Sequence, residues 1–184
     1  VATRKRGGNS NTIGGSTAAA RNIISGNETA GVFFMNIFTS AGNPTDAGFL
    51  PWNNTYNNIV KGNYIGTDIN GTITTSLTSV SQDYGIYMDG YKYCAHNTLG
   101  GSVAGEGNVI SGNTVAGIRL RNLPDSNYSD LPDSNFVYGN IIGLDKNGTG
   151  LISVNQLDGI LVEGTSSSTV IGGTVTGQRN IISE

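Results

Sequence analysis

Apolar residues in this chain come in clusters of two to four, often Ile or Val, cut by Gly and Asn. No stretch carries apolar positions at i, i+3, i+4, so no amphipathic helix is predicted. Short β-branched clusters between turn residues predict strands instead. The clusters also recur. Asn-Thr-Ile-Gly-Gly at 11–15 returns as Asn-Thr-Leu-Gly-Gly at 97–101 and as Thr-Val-Ile-Gly-Gly at 169–173, which is 86 and then 72 residues further on. RNIISGN (21–27), GNVISGN (107–113) and RNIISE (179–184) keep the same offsets, and each long unit divides again at KGNYIGTD (61–68) and YGNIIGLD (138–145).

Aligning these phrases gives columns. One column is Asn22, Asn63, Asn108, Asn140 and Asn180, with Ile24, Ile65, Ile110, Ile142 and Ile182 two residues on. A second is Asn11, Asn57, Asn97, Asn135 and Thr169, followed by Ile13, Ile59, Leu99, Val137 and Ile171. A third starts at Gly31, Gly85, Gly117 and Gly159 and continues with Val32/Phe34, Ile86/Met88, Ile118/Leu120 and Ile160/Val162. In a strand, residues i and i+2 share a face. Each Asn and its Ile therefore point inward, the Ile into a core and the Asn at a corner. Stacked Asn side chains can pass amide hydrogen bonds from rung to rung. The position between the third-column pairs holds Phe33, Tyr87, Arg119 and Leu161, and is predicted to face water. The pattern predicts an all-β solenoid of about five three-faced coils with Asn ladders, one domain spanning residues 1–184. Odd coils carry a Gly-Gly loop between the first two columns, whereas even coils turn tightly. Longer connections fall at the other corners, where a solenoid tolerates insertion.

The stretch NTIGG…RNIISGN…AGVFF…GNYIGTDINGT resembles the right-handed parallel β-helix repeats of the pectin-lyase-like superfamily. It is especially similar to secreted or surface-exposed prokaryotic repeat proteins with a two-coil unit. The resemblance covers nearly the whole chain and is weakest over 35–56. It implies a single-stranded right-handed parallel β-helix. It leaves function open, because that superfamily includes polysaccharide lyases, glycosidases, phage tailspikes, adhesins and inert stalks.

Composition narrows this only a little. A net charge of −3 with 12% charged residues points away from nucleic acid and from a strongly charged membrane surface. Arg4-Lys5-Arg6 reads as a solvated basic end. No apolar run approaches the roughly 18 residues of a membrane helix, and no signal peptide is visible. One Cys (Cys94) excludes an internal disulfide, and one His (His96) excludes a Ser-His-Asp set or a His-based zinc cluster.

Candidate chemistry lies in four places. Asp89 and Glu163 occupy equivalent positions after the third strand, two coils apart and so about 10 Å from each other. That pair suits a glycosidase, although repeated acids are also common turn residues. Asp68 and Asn70, matched by Asp145 and Asn147, resemble a calcium loop without the distal bidentate acid, or else a Gly-closed turn. The tandem LPDSN at 123–135 brings Asp125, Asp130 and Asp133 together, as a cation cluster or an expanded surface loop. Phe38, Phe49, Leu50, Trp52 and Tyr56 crowd one connection. They either stack on sugars or a partner (Phe49, Trp52 and Tyr56 foremost), or fold down to cover the helix. Sequons fall at Asn27, Asn53, Asn70, Asn127 and Asn147.

The leading expectation is a non-catalytic extracellular or cell-surface structural or adhesive module with no cofactor. Its partners would be copies of itself, or adjacent coils of a longer helix, at both ends. The alternative is a polysaccharide-active enzyme or a tailspike-like glycan binder.

Overall fold

The computed structural model describes residues 3–6, 8–35, 55–72, 82–90, 94–122, 134–152, 156–164 and 168–183. These residues form three five-stranded parallel sheets. The first holds β2 (Thr12–Gly14), β6 (Ile59–Lys61), β10 (Thr98–Gly100), β13 (Phe136–Tyr138) and β16 (Val170–Ile171). The second holds β3 (Ile23–Ile24), β7 (Tyr64–Ile65), β11 (Val109–Ile110), β14 (Ile141–Ile142) and β17 (Ile181–Ile182). The third holds the longest strands, β1 (Thr3–Arg6), β4 (Ala30–Met35), β8 (Tyr84–Gly90), β12 (Ala116–Asn122) and β15 (Asp158–Gly164). The chain visits the third, first and second sheets in that order on each of five passes. A short extra pair, β5 (Thr55–Tyr56) with β9 (Cys94–Ala95), precedes the first sheet.

The alternation expected from the sequence sets the core. Val32, Phe34, Ile86, Met88, Ile118 and Leu120 point inward from the third sheet and pack on Val60, Leu99 and Val137 of the first and Ile65, Ile110 and Ile142 of the second. Each such side chain contributes about 1.5–3 kcal/mol on burial.

Amide ladders mark the corners. In the column between the first and second sheets, Nδ2 of each Asn donates to Oδ1 of the next. The distances are 2.9 Å (Asn22 to Asn63), 3.1 Å (Asn63 to Asn108), 3.0 Å (Asn108 to Asn140) and 3.1 Å (Asn140 to Asn180). The backbone N–H of the donor residue shares the same acceptor, as with Asn63 N to Asn108 Oδ1 at 3.0 Å.

The column before the first sheet requires a correction. Its second member is Asn58, not Asn57: Asn11 Nδ2 donates to Asn58 Oδ1 at 2.7 Å, Asn58 to Asn97 at 3.0 Å and Asn97 to Asn135 at 2.9 Å. Val60, not Ile59, then fills the core. Asn57 is exposed and adopts φ 56°, a left-handed conformation that Asn tolerates better than most residues. Its counterparts before Asn11, Asn97 and Thr169 are Ser10 (φ 57°), His96 (φ 55°) and Ser168 (φ 64°). At these four passes a left-handed residue thus turns the chain into the rung, and at the first three the next residue, Asn11, Asn58 or Asn97, is a ladder member.

Arg4–Arg6 lie in β1, in parallel register with Phe33–Met35. One further expectation changes. Tyr87, expected to face water, is only 6% exposed, because neighbouring outward side chains cover it.

The loops explain the two-pass period. The odd-pass Gly-Gly loops reach across the intervening even pass and touch one another. A Cβ on Gly105 would overlap the Ser16 carbonyl oxygen, and one on Gly177 that of Ser102. The even pass turns tightly beneath, at Gly62, whose N–H donates to the Glu106 carbonyl at 2.8 Å, and at Gly139, bonded likewise to Gln178 at 3.2 Å. At the opposite edge of the second sheet the even-pass loops do the same, with Lys146 N donating to the Gly71 carbonyl at 2.8 Å.

Candidate functional site

The outward face of the third sheet gathers the chemically versatile side chains. Parallel pairing places Phe33, Tyr87, Arg119 and Leu161 in one row, and Met35, Asp89, Arg121 and Glu163 in the row two residues on. Phe33 and Tyr87 stack with ring centroids 4.7 Å apart and planes 8° from parallel. Arg119 continues that stack, its guanidinium carbon 4.8 Å from the Tyr87 ring centre and 5.0 Å from that of Tyr84. Its Nη1 donates to Tyr84 Oη at 2.7 Å and its Nε to Glu163 at 2.6 Å. Arg121 Nη1 donates to Tyr87 Oη at 3.3 Å and lies 3.9 Å from Asp89.

Burial pushes the Tyr87 hydroxyl above its ordinary value; the bond from Arg121 opposes that and the Asp89 charge adds to it. Burial by itself would lower Arg119, but the Glu163 bond and the neighbouring tyrosines outweigh it and hold the guanidinium above its usual value. Arg119 is therefore a fixed cation on an aromatic surface.

Asp89 and Glu163 stand within the strands rather than after them, with Arg121 between them in register. The chain matches no protein-family model, no curated protein and no solved structure.

The other sequence candidates separate clearly. Asp68 Oδ1 accepts the N–H groups of Asn70 and Thr72, each at 3.0 Å. Asp145 Oδ1 accepts those of Asn147 (3.1 Å), Thr149 (3.0 Å) and Gly150 (3.1 Å). The bonds from Thr149 and Gly150 lead those that hold the Asp145 carboxyl below its ordinary range. Both carboxylates thus turn into their own loops as Asx turns. Among the described residues no group of three or more His, Cys, Asp or Glu is placed to hold a metal ion.

Of the sequons, Asn70 and Asn147 are exposed, whereas Asn27 is buried at 7% exposure. Asn27 is corrected on that ground: its Nδ2, the atom a glycan would need, donates to Gln82 Oε1 at 3.1 Å. Tyr56 is exposed in β5. Phe38, Phe49, Leu50, Trp52, Asn53, Asp125, Asn127, Asp130 and Asp133 lie outside the described residues.

The bond from Asn27 belongs to a third amide ladder that the sequence columns missed. Gln82 Nε2 donates to Asn113 Oδ1 at 2.7 Å, and Asn113 Nδ2 to Gln156 Oε1 at 3.4 Å. Asn27 and Asn113 stand four residues before Gly31 and Gly117, whereas Gln82 and Gln156 stand three before Gly85 and Gly159. Where the backbone begins one residue nearer the strand, the extra methylene of Gln restores the reach.

Proposed function

We propose that this chain is a structural or adhesive module of the extracellular or cell-surface kind, built as a right-handed parallel β-helix of about five coils. In this reading it belongs with the pectin-lyase-like repeat proteins that its sequence resembles. The supporting observation is the shared polarity of the three amide ladders. Each donates in one direction, from Asn22 toward Asn180, from Asn11 toward Asn135 and from Asn27 toward Gln156. At the ends of the Asn22–Asn180 ladder, Asn22 then offers its Oδ1 as an acceptor and Asn180 the second N–H of its Nδ2, beside the one that bonds the Val137 carbonyl, as a donor. That arrangement suits continuation by another rung of the same hand, either from further coils of a longer chain or from a second copy. The apolar side chains Ile171 and Ile182, exposed at 48% and 46%, lie on the last strands of their sheets and would be covered by such a rung. Negative-stain imaging across a concentration series, together with sedimentation, tests the reading. Rods that lengthen with concentration support stacking of copies. Dispersed short particles at every concentration would overturn stacking of this chain on itself.

A second reading, glycan binding or cleavage, is favoured by Phe33 and Arg119, both half-buried on this face with the buried Tyr87 ring as their support, since an aromatic side chain beside a fixed cation suits sugar rings and acidic groups. Binding fits it better than cleavage, because Arg121 stands between Asp89 and Glu163, where a glycosidic bond would have to sit. Incubation with a panel of neutral and acidic glycans tests both. Release of reducing or unsaturated ends would replace the structural reading with an enzymatic one.

A further inference from the structure

The outward face of the second sheet carries a row of apolar side chains, Ile23, Tyr64, Val109, Ile141 and Ile181, in parallel register. Two loop walls flank it: the Gly-Gly loops on one side and the Asp-x-Asn-Gly loops on the other. Between them lies a groove of about 370 Å³ over Val109 and Ile141. Two cations border it, Arg21 and Lys146, and no acidic side chain lines it. This local charge runs against a chain whose net charge is −3.

Arg21 and the base of Lys146 are linked through one ring and the glycine at its edge. The Arg21 guanidinium carbon sits 4.1 Å from the Tyr64 ring centre, and Arg21 Nε donates to the Gly62 carbonyl at 3.2 Å. Gly71 packs against the edge of the same ring, and Lys146 Cβ packs against Gly71. Among the described residues, neither the terminal nitrogens of Arg21 nor Nζ of Lys146 meets a carboxylate. Acids beside the groove are engaged elsewhere. Glu106 pairs with Lys61 at 2.7 Å, and Asp145 accepts the N–H groups of its own loop. Tyr64 is buried at 7% exposure, so its ring serves as support for Arg21 rather than as a stacking platform for a base or sugar.

We propose that this groove is a binding site for a small organic anion: a carboxylate or sulfate ester whose compact apolar body rests on Val109 and Ile141 while Arg21 and Lys146 take the charged group. Arg21 is pre-set by its ring contact and Nε bond, leaving its outer nitrogens as a planar donor pair for two oxygens of one anion. Lys146 adds a mobile point charge from the opposite wall. The site is independent of the end-to-end reading, since it lies on the flank of the stack.

The test uses two matched probes, cyclohexanecarboxylate and cyclohexanecarboxamide, titrated into the intact chain at low salt with amide chemical shifts as readout. The carboxylate is expected to shift the amides of Gly101, Gly105 and Val109 saturably, and at least tenfold more tightly than the amide. Its affinity should fall as salt rises. Arg21→Gln and Lys146→Gln should each weaken it by roughly tenfold, the loss expected for one charge-assisted hydrogen bond. Lys146→Gln lies on an exposed loop and leaves the Tyr64 contact in place, so it keeps the test sound if Arg21→Gln perturbs folding. Equal affinity for the two probes, shifts mapping away from the groove, or unchanged affinity in Lys146→Gln would each overturn the proposal.

Discussion

Asn57 and Asn58 are adjacent and identical in type, yet the structure assigns them opposite burdens. Asn58 is fully buried. Its Oδ1 accepts both Asn11 N (3.1 Å) and Asn11 Nδ2 (2.7 Å), and its Nδ2 donates to the Gly8 carbonyl (2.7 Å) and to Asn97 Oδ1 (3.0 Å). Asn58→Ala keeps the backbone bond from residue 58 to Asn97 but removes the acceptor of the Asn11 N–H and a donor to the Gly8 carbonyl. A buried polar group that loses a hydrogen bond costs about 1–3 kcal/mol, and with the Gly8 carbonyl buried, Asn11 half-buried and both retaining other contacts the expected loss is about 2–3 kcal/mol. Asn57→Ala removes no ladder bond. It places Ala at φ 56°, for about 1 kcal/mol, and Asn57→Gly should be close to neutral. Urea unfolding followed by far-UV circular dichroism measures the three variants, with an unchanged slope expected and the midpoint carrying the difference. If Asn57→Ala loses as much as Asn58→Ala, or more, the register assigned to this column is wrong.

Three further outcomes are expected. Gln82→Asn shortens the middle of the third ladder by one methylene and should break its bonds to both Asn27 and Asn113, costing about 2–4 kcal/mol in chemical unfolding; a loss under about 0.5 kcal/mol would mean that the chain-length matching is incidental. Gly62 and Gly148 share φ 68°, but a Cβ overlaps the Gly15 carbonyl only at Gly62, so Gly62→Ala should cost more than about 3 kcal/mol and Gly148→Ala about 1 kcal/mol, read from the same unfolding curves. The Lys61 bond, the largest cause, holds the Glu106 carboxyl below its ordinary value, so the pair stabilises above the unfolded value near pH 4.3 and the contribution is lost as pH falls through the folded one. Lys61→Met should therefore cost at most about 0.5 kcal/mol at pH 6, and the cost should shrink as pH falls toward 2.5; a gap of undiminished size at pH 2.5 would refute the electrostatic account.

The fold was legible where identical residues recur at fixed offsets from a core Ile. The Asn22–Asn180 column and the paired apolar residues of the third sheet were read correctly, because burial forces the same type at each pass. The Asn11 column slipped by one at Asn57, where two asparagines and Ile59-Val60 fit either register. Connection length held the deciding signal, since Asn58 stands five residues before Asn63, as Asn135 stands five before Asn140. The third amide ladder stayed hidden because its members alternate between Asn and Gln and shift by one residue against the strand. The outward surface of Arg119, Tyr84 and Glu163 was less legible still. Sequence offsets match Asp89 with Glu163 but do not reveal the arginines that engage them. Outward positions change identity from pass to pass, and their partners are set by sheet register rather than by sequence spacing.

The two-pass unit follows from crowding at the corners. Strands of neighbouring passes lie about 4.8 Å apart, too close for two full loops to project side by side from every pass. The chain resolves this by alternation. Where one pass projects a loop between the first and second sheets, the next turns tightly under it, as at Gly62 and Gly139. The even passes then project their loops at the far edge of the second sheet, where Lys146 bonds Gly71 two passes away. Each loop thus stacks on the loop two passes off, and the two walls stand on opposite edges of one sheet. The groove over Val109 and Ile141 is the space left between them. The packing rule that gives the sequence its double period also creates the flank of the second sheet on which the proposed anion would lie against the strands.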